Sequence, residues 1–313
     1  MQQKRNIGRS SLAITPLMLG GNVFGWTADE KTSHAVLDAF VDQGGDSIDT
    51  ADVYSAWAPG HEGGESERVI GAWLKKSGKR DKVVIGTKVG MWPKRLGIKR
   101  DNIVAACEGS LARLGTDRID LYWLHRDDEA THPEEFLGAL DQLMKAGKVR
   151  AIGASNFKPG RFAEALAESA RSGKARFDAQ QPAYNLMERE IEAELMPLCA
   201  REGVSLLPYY GLASGYLTGK YRSEADKAKS VRGGRMDKYM TGKGPAVLAA
   251  LDAVAARRGA TPAQVALAWV MAKPAIAAPI ASATSVAQVT ELMGALRLAL
   301  SGEDVAELDR ASG

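Results

Sequence analysis

Several things are scarce in this chain, and each scarcity excludes something. Two cysteines, Cys107 and Cys199, in 313 residues are too few for a disulfide framework, so a reducing cytoplasm is the expected compartment. The four histidines, His34, His61, His125 and His132, form no H-x-H or H-x-x-x-H pair. A metal-dependent barrel hydrolase would need clustered ligands, so no metal is expected. No window approaches 18 uninterrupted apolar residues, and Met1 to Gly8 lacks the apolar run of a signal peptide, so no membrane association is read. A formal net charge of +3 gives no reason to expect nucleic acid as a partner. Gly20-Gly21-Asn22-Val23-Phe24-Gly25 misses the G-x-G-x-x-G spacing that a doubly wound dinucleotide fold places after its first strand. What remains is a 45% hydrophobic chain with core enough for one large domain over residues 1–313.

Strand and helix patterns alternate along almost the whole length. Short apolar runs at Leu17–Gly20, Ser47–Asp49, Lys82–Lys88, Ile119–His125, Val149–Ser155, Ala179–Gln181, Ser205–Tyr209 and Ala277–Ala281 read as strands. Helical patterns lie at Thr32–Gln43, Glu67–Lys75, Asp101–Leu114, Pro133–Ala146, Arg161–Ser172, Ala263–Met271 and Ala287–Leu296. Parallel strands need crossovers rather than tight turns, so this order predicts a (β/α)8 TIM barrel. Lys4–Ile7 and Leu12–Ile14, turned at Gly8-Arg9-Ser10-Ser11, predict an N-terminal β-hairpin that caps the barrel floor.

Three successive strands end in ionisable groups. Asp49 closes the second, Lys88 the third and His125 the fourth, while Tyr54 waits in the loop five residues after Asp49. Neighbouring strands lie about 4.8 Å apart, so these side chains converge. A free phenol has a pKa of about 10 and is a poor acid at neutral pH. A lysine ammonium about 4 Å away could lower that value, and Asp49 can hold Lys88 in place. His125 can then hydrogen-bond the same carbonyl oxygen that Tyr54 protonates. Taken singly, each residue reads as a cap, a surface charge or a structural histidine; the set reads as a carbonyl reductase.

One insertion stands apart. Lys220 to Lys243 holds eight basic residues (Lys220, Arg222, Lys227, Lys229, Arg232, Arg235, Lys238 and Lys243) against the acids Glu224, Asp226 and Asp237. It follows the seventh strand, which places it on the catalytic face of a barrel, either as solvated surface or as a clasp for an anionic ligand.

These residues together resemble the aldo-keto reductase superfamily, in its bacterial members. The resemblance runs over essentially the whole chain. It rests on Asp49-Thr50-Ala51-x-x-Tyr54 with Gly64-Glu65-Ser66-Glu67, on Thr87-Lys88 and Leu124-His125, on Gly147 through Phe157, on Gln181-x-x-Tyr184-Asn185, and on Tyr209 through Lys220. It implies NADP(H)-dependent interconversion of small-molecule carbonyls and alcohols, with Asp49, Tyr54, Lys88 and His125 as the catalytic tetrad. It also implies nicotinamide contacts from Ser155, Asn156 and Gln181, with the ring stacked on Tyr209. The following loop, Tyr210, Gly211 and Leu212 through Ser214 and Gly215 to Lys220, would run along the pyrophosphate, and Arg222 would extend the clasp. Past the eighth strand, Ser282, Thr284 and Gln288 stand where basic residues usually meet a 2′-phosphate, so NAD(H) is the alternative cofactor. Trp26, Trp57 and Trp92, each just beyond a strand end, are expected to line an open pocket for bulky apolar or aromatic substrates. A monomer or small homo-oligomer is expected. The competing reading is a cofactor-binding regulatory barrel without turnover.

Overall fold

The computed structural model describes residues 3–230 and 233–313, so Arg232 of the basic segment, Met1 and Gln2 lie outside the described residues. Eight parallel strands form one curled sheet: β1 (Met18–Gly20), β2 (Ser47–Asp49), β3 (Val84–Val89), β4 (Ile119–Leu124), β5 (Val149–Ser155), β6 (Ala179–Gln181), β7 (Ser205–Leu206) and β8 (Ile280–Ala281). Neighbours in sequence are neighbours in space, and β8 returns to pair with β1. The remaining seam closes through a parallel bridge between Leu206 and Ile276 and through the Ile280 N–H donating to the Pro208 carbonyl. The architecture is the predicted (β/α)8 barrel.

β7 and β8 are shorter than predicted, and proline is the reason. Pro208 and Pro279 have no N–H to give the ladder. The chain stays extended around them, with the Leu207 and Tyr209 N–H groups donating to Gln180 and Pro182.

Helices α1 (Glu30–Asp42), α2 (Glu65–Ser77), α3 (Arg100–Leu114), α4 (Pro133–Lys145) and α5 (Pro159–Ser172) follow β1 to β5. Their ends carry local signals: Asp29 caps α1 by accepting from the Thr32 N–H, Pro133 opens α4, and Gly115 closes α3 at φ 62°. The sequence reading assigned no helix to α6 (Leu195–Glu202), α7 (Gly244–Arg258) or α10 (Gly302–Ser312), which join α8 (Pro262–Met271) and α9 (Val286–Gly294). A further hairpin, Met91–Trp92 with Arg95–Leu96, rises after β3.

The interior is filled from below. Ile7, Leu12 and Ile14 of the N-terminal hairpin are buried with Met18, Leu121, Trp123, Ala179, Leu207 and Ile280, so the hairpin plugs the floor as predicted. The Gly8 N–H donates to Ser205 Oγ, and Ser205 Oγ donates to the Asn6 carbonyl, which fastens the plug. Gly153 is needed beside Trp123, because a Cβ there would stand 2.3 Å from the indole ring. The hairpin thus covers one end of the barrel, opposite the strand ends that carry Asp49, Lys88 and His125.

Candidate active site

Pairing register delivers the ionisable groups to those strand ends. Asp49 lies opposite Gly86 on β3, and Lys88 lies opposite Trp123 on β4. Beyond β2 the ladder continues, with the Thr50 N–H donating to the Gly86 carbonyl and the Asp52 N–H to the Lys88 carbonyl. This extension swings Tyr54 back over Lys88, helped by a left-handed Ser55 at φ 76°. The His125 N–H donates to the Val89 carbonyl, which fixes the start of the loop after β4.

Lys88 is fully buried, and its ammonium donates to Asp49 Oδ2 at 2.5 Å, the Thr50 carbonyl at 2.8 Å and the Tyr54 hydroxyl oxygen at 2.8 Å. Its three donors are thus all used. The Tyr54 hydroxyl faces Asp49 Oδ2 at 3.2 Å, and Gln181 Nε2 donates to the other Asp49 oxygen at 3.0 Å. Tyr54 and His125 stand edge to face with ring centroids 6.0 Å apart. The four residues that the sequence brought forward as a tetrad therefore meet in space.

Their electrostatics differ from the sequence reading in one respect. Burial, reinforced by the Asp49 carboxylate, pushes the Tyr54 phenol well above its ordinary pKa rather than below it. Lys88 is spent largely on Asp49, so the pair presents little net charge to the phenol. Burial lowers the Lys88 pKa, with Asp49 opposing that shift. His125 is pushed well below its usual value by burial and then by the Lys88 charge, so its imidazole is neutral at pH 7. The site holds a protonated phenol hydrogen-bonded to a buried ion pair, beside a neutral imidazole.

A second polar group adjoins the first. Ser155 Oγ donates to the Gln181 carbonyl at 2.8 Å, and Asn156 Nδ2 donates to the His125 carbonyl at 3.1 Å and to Ser155 Oγ at 3.0 Å. The Tyr209 hydroxyl donates to Asn156 Oδ1 at 2.7 Å. Ser155, Asn156, Gln181 and Tyr209 thus form one cluster against Asp49 and His125. Its mix of hydroxyl and amide donors and acceptors fits a nicotinamide carboxamide. Tyr210, Ala213, Ser214 and Gly215 all take positive φ, so the loop after β7 bends sharply past this cluster. Gly211 and Leu212 lie within that bend, and the Lys220 side chain lies beside Gly215, 5.0 Å from the Tyr221 ring.

Other expected contacts are engaged elsewhere. Arg222 forms a two-pronged pair with Asp252 at 2.7 and 2.8 Å. Lys227 pairs with Glu224 and Asp237, Lys229 with Asp226, and Lys238 with Glu188, so part of the basic segment's charge is matched locally. Ser282 Oγ donates to Asn22 Oδ1, and Gln288 Oε1 accepts from the Thr284 N–H. No basic side chain enters that hydrogen-bonded set.

The three tryptophans separate. Trp26 and Trp57 stand edge to face at 5.5 Å, and Trp57 reaches within 6.0 Å of the Tyr54 ring while 49% exposed. Trp92 is turned to a different task. Its indole N–H donates to the Glu62 carbonyl at 2.6 Å, and its ring lies 5.3 Å from the Arg113 guanidinium, tying the hairpin after β3 to the loop after β2. Sequence reasoning gave no role to Asp52, Glu67 or Arg113, which are packed just behind Lys88; only the quoted Gly64-Glu65-Ser66-Glu67 pattern pointed toward them.

Residues 16–312 match the family model described as the Aldo/keto reductase family. The sequence is 33% identical to the uncharacterized oxidoreductase YrpG of Bacillus subtilis, over 95% of this chain and 92% of that protein. It is 30% identical to an aryl-alcohol dehydrogenase of Pestalotiopsis microspora, over 96% of this chain and 79% of that one. A similarity of 32% extends to a probable voltage-gated potassium channel subunit beta of Oryza sativa subsp. japonica, over 94% of this chain and 91% of the other. The chain belongs to the Aldo/keto reductase family and is an oxidoreductase.

Proposed function

We propose that the protein interconverts aldehydes or ketones with alcohols using NADP(H), acting on bulky apolar or aromatic carbonyls in the cytoplasm as a monomer or small homo-oligomer. The observation that carries this reading is the Lys88 ammonium bridging Asp49 and the Tyr54 hydroxyl inside a buried site. The cofactor supplies the hydride. Ser155, Asn156 and Gln181 would hold its carboxamide, and Tyr209 would present a flat face to its ring. Tyr54, kept protonated by its raised pKa, gives its proton to the carbonyl oxygen. Lys88 then stabilises the oxygen that lost the proton, through the hydrogen bond it already donates. Neutral His125 donates a further hydrogen bond to the substrate oxygen.

The rim supports the substrate class. Trp26 and Trp57 on one side and Tyr210, 41% exposed, on another offer aromatic surface beside the phenol. The aryl-alcohol dehydrogenase similarity agrees with this choice. The neutral Ser282, Thr284 and Gln288 favour NAD(H) as a second reading of the cofactor, while Lys220 and the basic segment favour NADP(H).

Cofactor oxidation measured over a panel of aromatic, aliphatic and sugar carbonyls tests the proposal. Tyr54→Phe should lower turnover by at least about a hundredfold and retain cofactor binding. Near-normal turnover in that variant would sink the assignment. Cofactor binding without turnover of any carbonyl would favour a regulatory role, as the name of the channel-subunit relative invites.

A further inference from the structure

Behind the tetrad, in the layer between the strands and helices α2 and α3, lies a carboxyl group that the mechanism above leaves idle. Asp52 is fully buried, and neither of its oxygens has a well-formed hydrogen-bond donor, only the pull of the Val53 N–H. Its own N–H is fixed to the Lys88 carbonyl at 3.2 Å, so it cannot drift from the catalytic lysine. The groups that face it are Glu67 from α2, Arg113 from α3, Lys88 from β3 and Tyr122 from β4, with Cys107 beyond Tyr122.

The partners of those groups decide which of them carries a proton. Glu67 is satisfied on both oxygens, by the Thr87 hydroxyl at 2.6 Å and by Arg113 Nε at 2.6 Å. Arg113 is therefore committed to Glu67, and its guanidinium also lies over the Trp92 ring. Lys88 is likewise committed to Asp49, Thr50 and Tyr54. Two buried carboxyls thus share one free-standing cation, and Glu67 has that cation. A buried carboxylate without donor or counter-charge is expensive, so the proton belongs on Asp52.

Accepting the reductase reading, we propose that Asp52 is a positioning residue for the tetrad: it holds a proton behind Lys88 and, on releasing it to solvent at alkaline pH, adds negative charge that keeps Lys88 an ammonium and Tyr54 a phenol. Burial and the neighbouring Glu67 charge push Asp52 up to about 8, which puts the release within reach of ordinary assay conditions. Negative charge at Asp52 in turn raises the Lys88 pKa. Because a phenol serves carbonyl reduction and a phenolate serves alcohol oxidation, Asp52 sets where the alkaline limb of each direction lies.

The test compares wild type with Asp52→Asn, which keeps the shape and removes the ionisation. Tyr54 ionisation is read as the ultraviolet difference against the matching Tyr54→Phe protein, alongside the pH profile of kcat for alcohol oxidation with NADP+. In Asp52→Asn the Tyr54 midpoint and the oxidation limb should both move to lower pH by about one unit, the size expected of one charge several ångströms away at an effective dielectric near 20. Asp52→Glu, which restores a titrating carboxyl, should return the limb toward wild type. Carboxyl carbon NMR should show one group titrating at about 8 in wild type and missing from Asp52→Asn. Superimposed Tyr54 titrations, a carboxyl that titrates in the ordinary carboxylate range, or a rate lowered equally at every pH would overturn the proposal. If Asp52→Asn does not fold, Asp52→Ser carries the same comparison. The two titrations need no turnover, so they still decide the matter if the protein proves not to reduce carbonyls.

Discussion

Replacing Lys88 with Met removes a charge from the most enclosed ion pair among the described residues and leaves the rest of the side chain in place. The ammonium satisfies Asp49, the Thr50 carbonyl and Tyr54 at once, and both partners of the ion pair are buried. In the variant Asp49 keeps Gln181 Nε2 and the Tyr54 hydroxyl but loses its counter-charge. Breaking one side of a buried pair costs about 3–5 kcal/mol, because the surviving charge stays desolvated. At roughly 2–4 °C per kcal/mol, Tm should fall on the order of 10 °C. Adding Asp49→Asn to Lys88→Met removes the stranded charge and should recover most of that loss. Turnover should fall by at least about a hundredfold in both variants, since neither can stabilise the deprotonated Tyr54. Calorimetric melts of the two single variants and the double variant measure the coupling directly. A Lys88→Met protein that melts with wild type, or a double variant no more stable than the single one, would refute the account of Lys88 as charge-balanced by Asp49.

Asp52→Asn should also change stability. The folded-state pKa of about 8 lies above the unfolded carboxyl value, so the native state keeps a proton that the unfolded chain loses. The Asp52 contribution to wild-type stability therefore falls as pH rises from about 4 to about 8, and the variant should be the more stable protein above pH 8, by up to about 5 kcal/mol. Urea melts showing a gap that does not widen across that window would contradict the sign. Trp57→Ala should raise KM for aromatic aldehydes several-fold more than for short aliphatic ones, as expected for a rim residue that contributes aromatic contact. A panel in which open-chain sugars give the highest kcat/KM would defeat the substrate assignment. Neutralising Lys220 and Arg222 together should weaken NADP(H) binding by at most a few kcal/mol, with the loss shrinking as salt is added. Identical binding curves for both nucleotides in that variant would leave the segment as surface held by Asp252 and its other local acids.

The barrel was legible because its signals are local. Apolar strand runs, the helix-opening Pro133 and stop glycines such as Gly115 each act over a few residues. The floor hairpin was legible for the same reason. The helices α6, α7 and α10 were missed although α7 carries an early proline and a following Gly259; its apolar alanine-rich run shows little contrast between faces. Trp92 shows what the sequence left open. Its position beyond a strand end was legible, but its contacts depend on the neighbours it finds, here Glu62 and Arg113.

By itself the sequence determined the order of strands and helices, and with that order the placing of Asp49, Lys88 and His125 at successive strand ends. Parallel pairing allows little else once each strand is fixed in length and register. Charge balance was left to the tertiary structure. Counting basic residues from Lys220 to Lys243 indicated an excess of positive charge, on solvated surface or in a clasp, yet Asp252 and Glu188, distant in sequence, supply part of the missing negative charge. Nothing in the sequence singles out Asp52, yet folding buries it behind Lys88 with the nearest guanidinium already held by Glu67. Protonation states follow from burial and from which partners are already taken, and both are properties of the packed molecule.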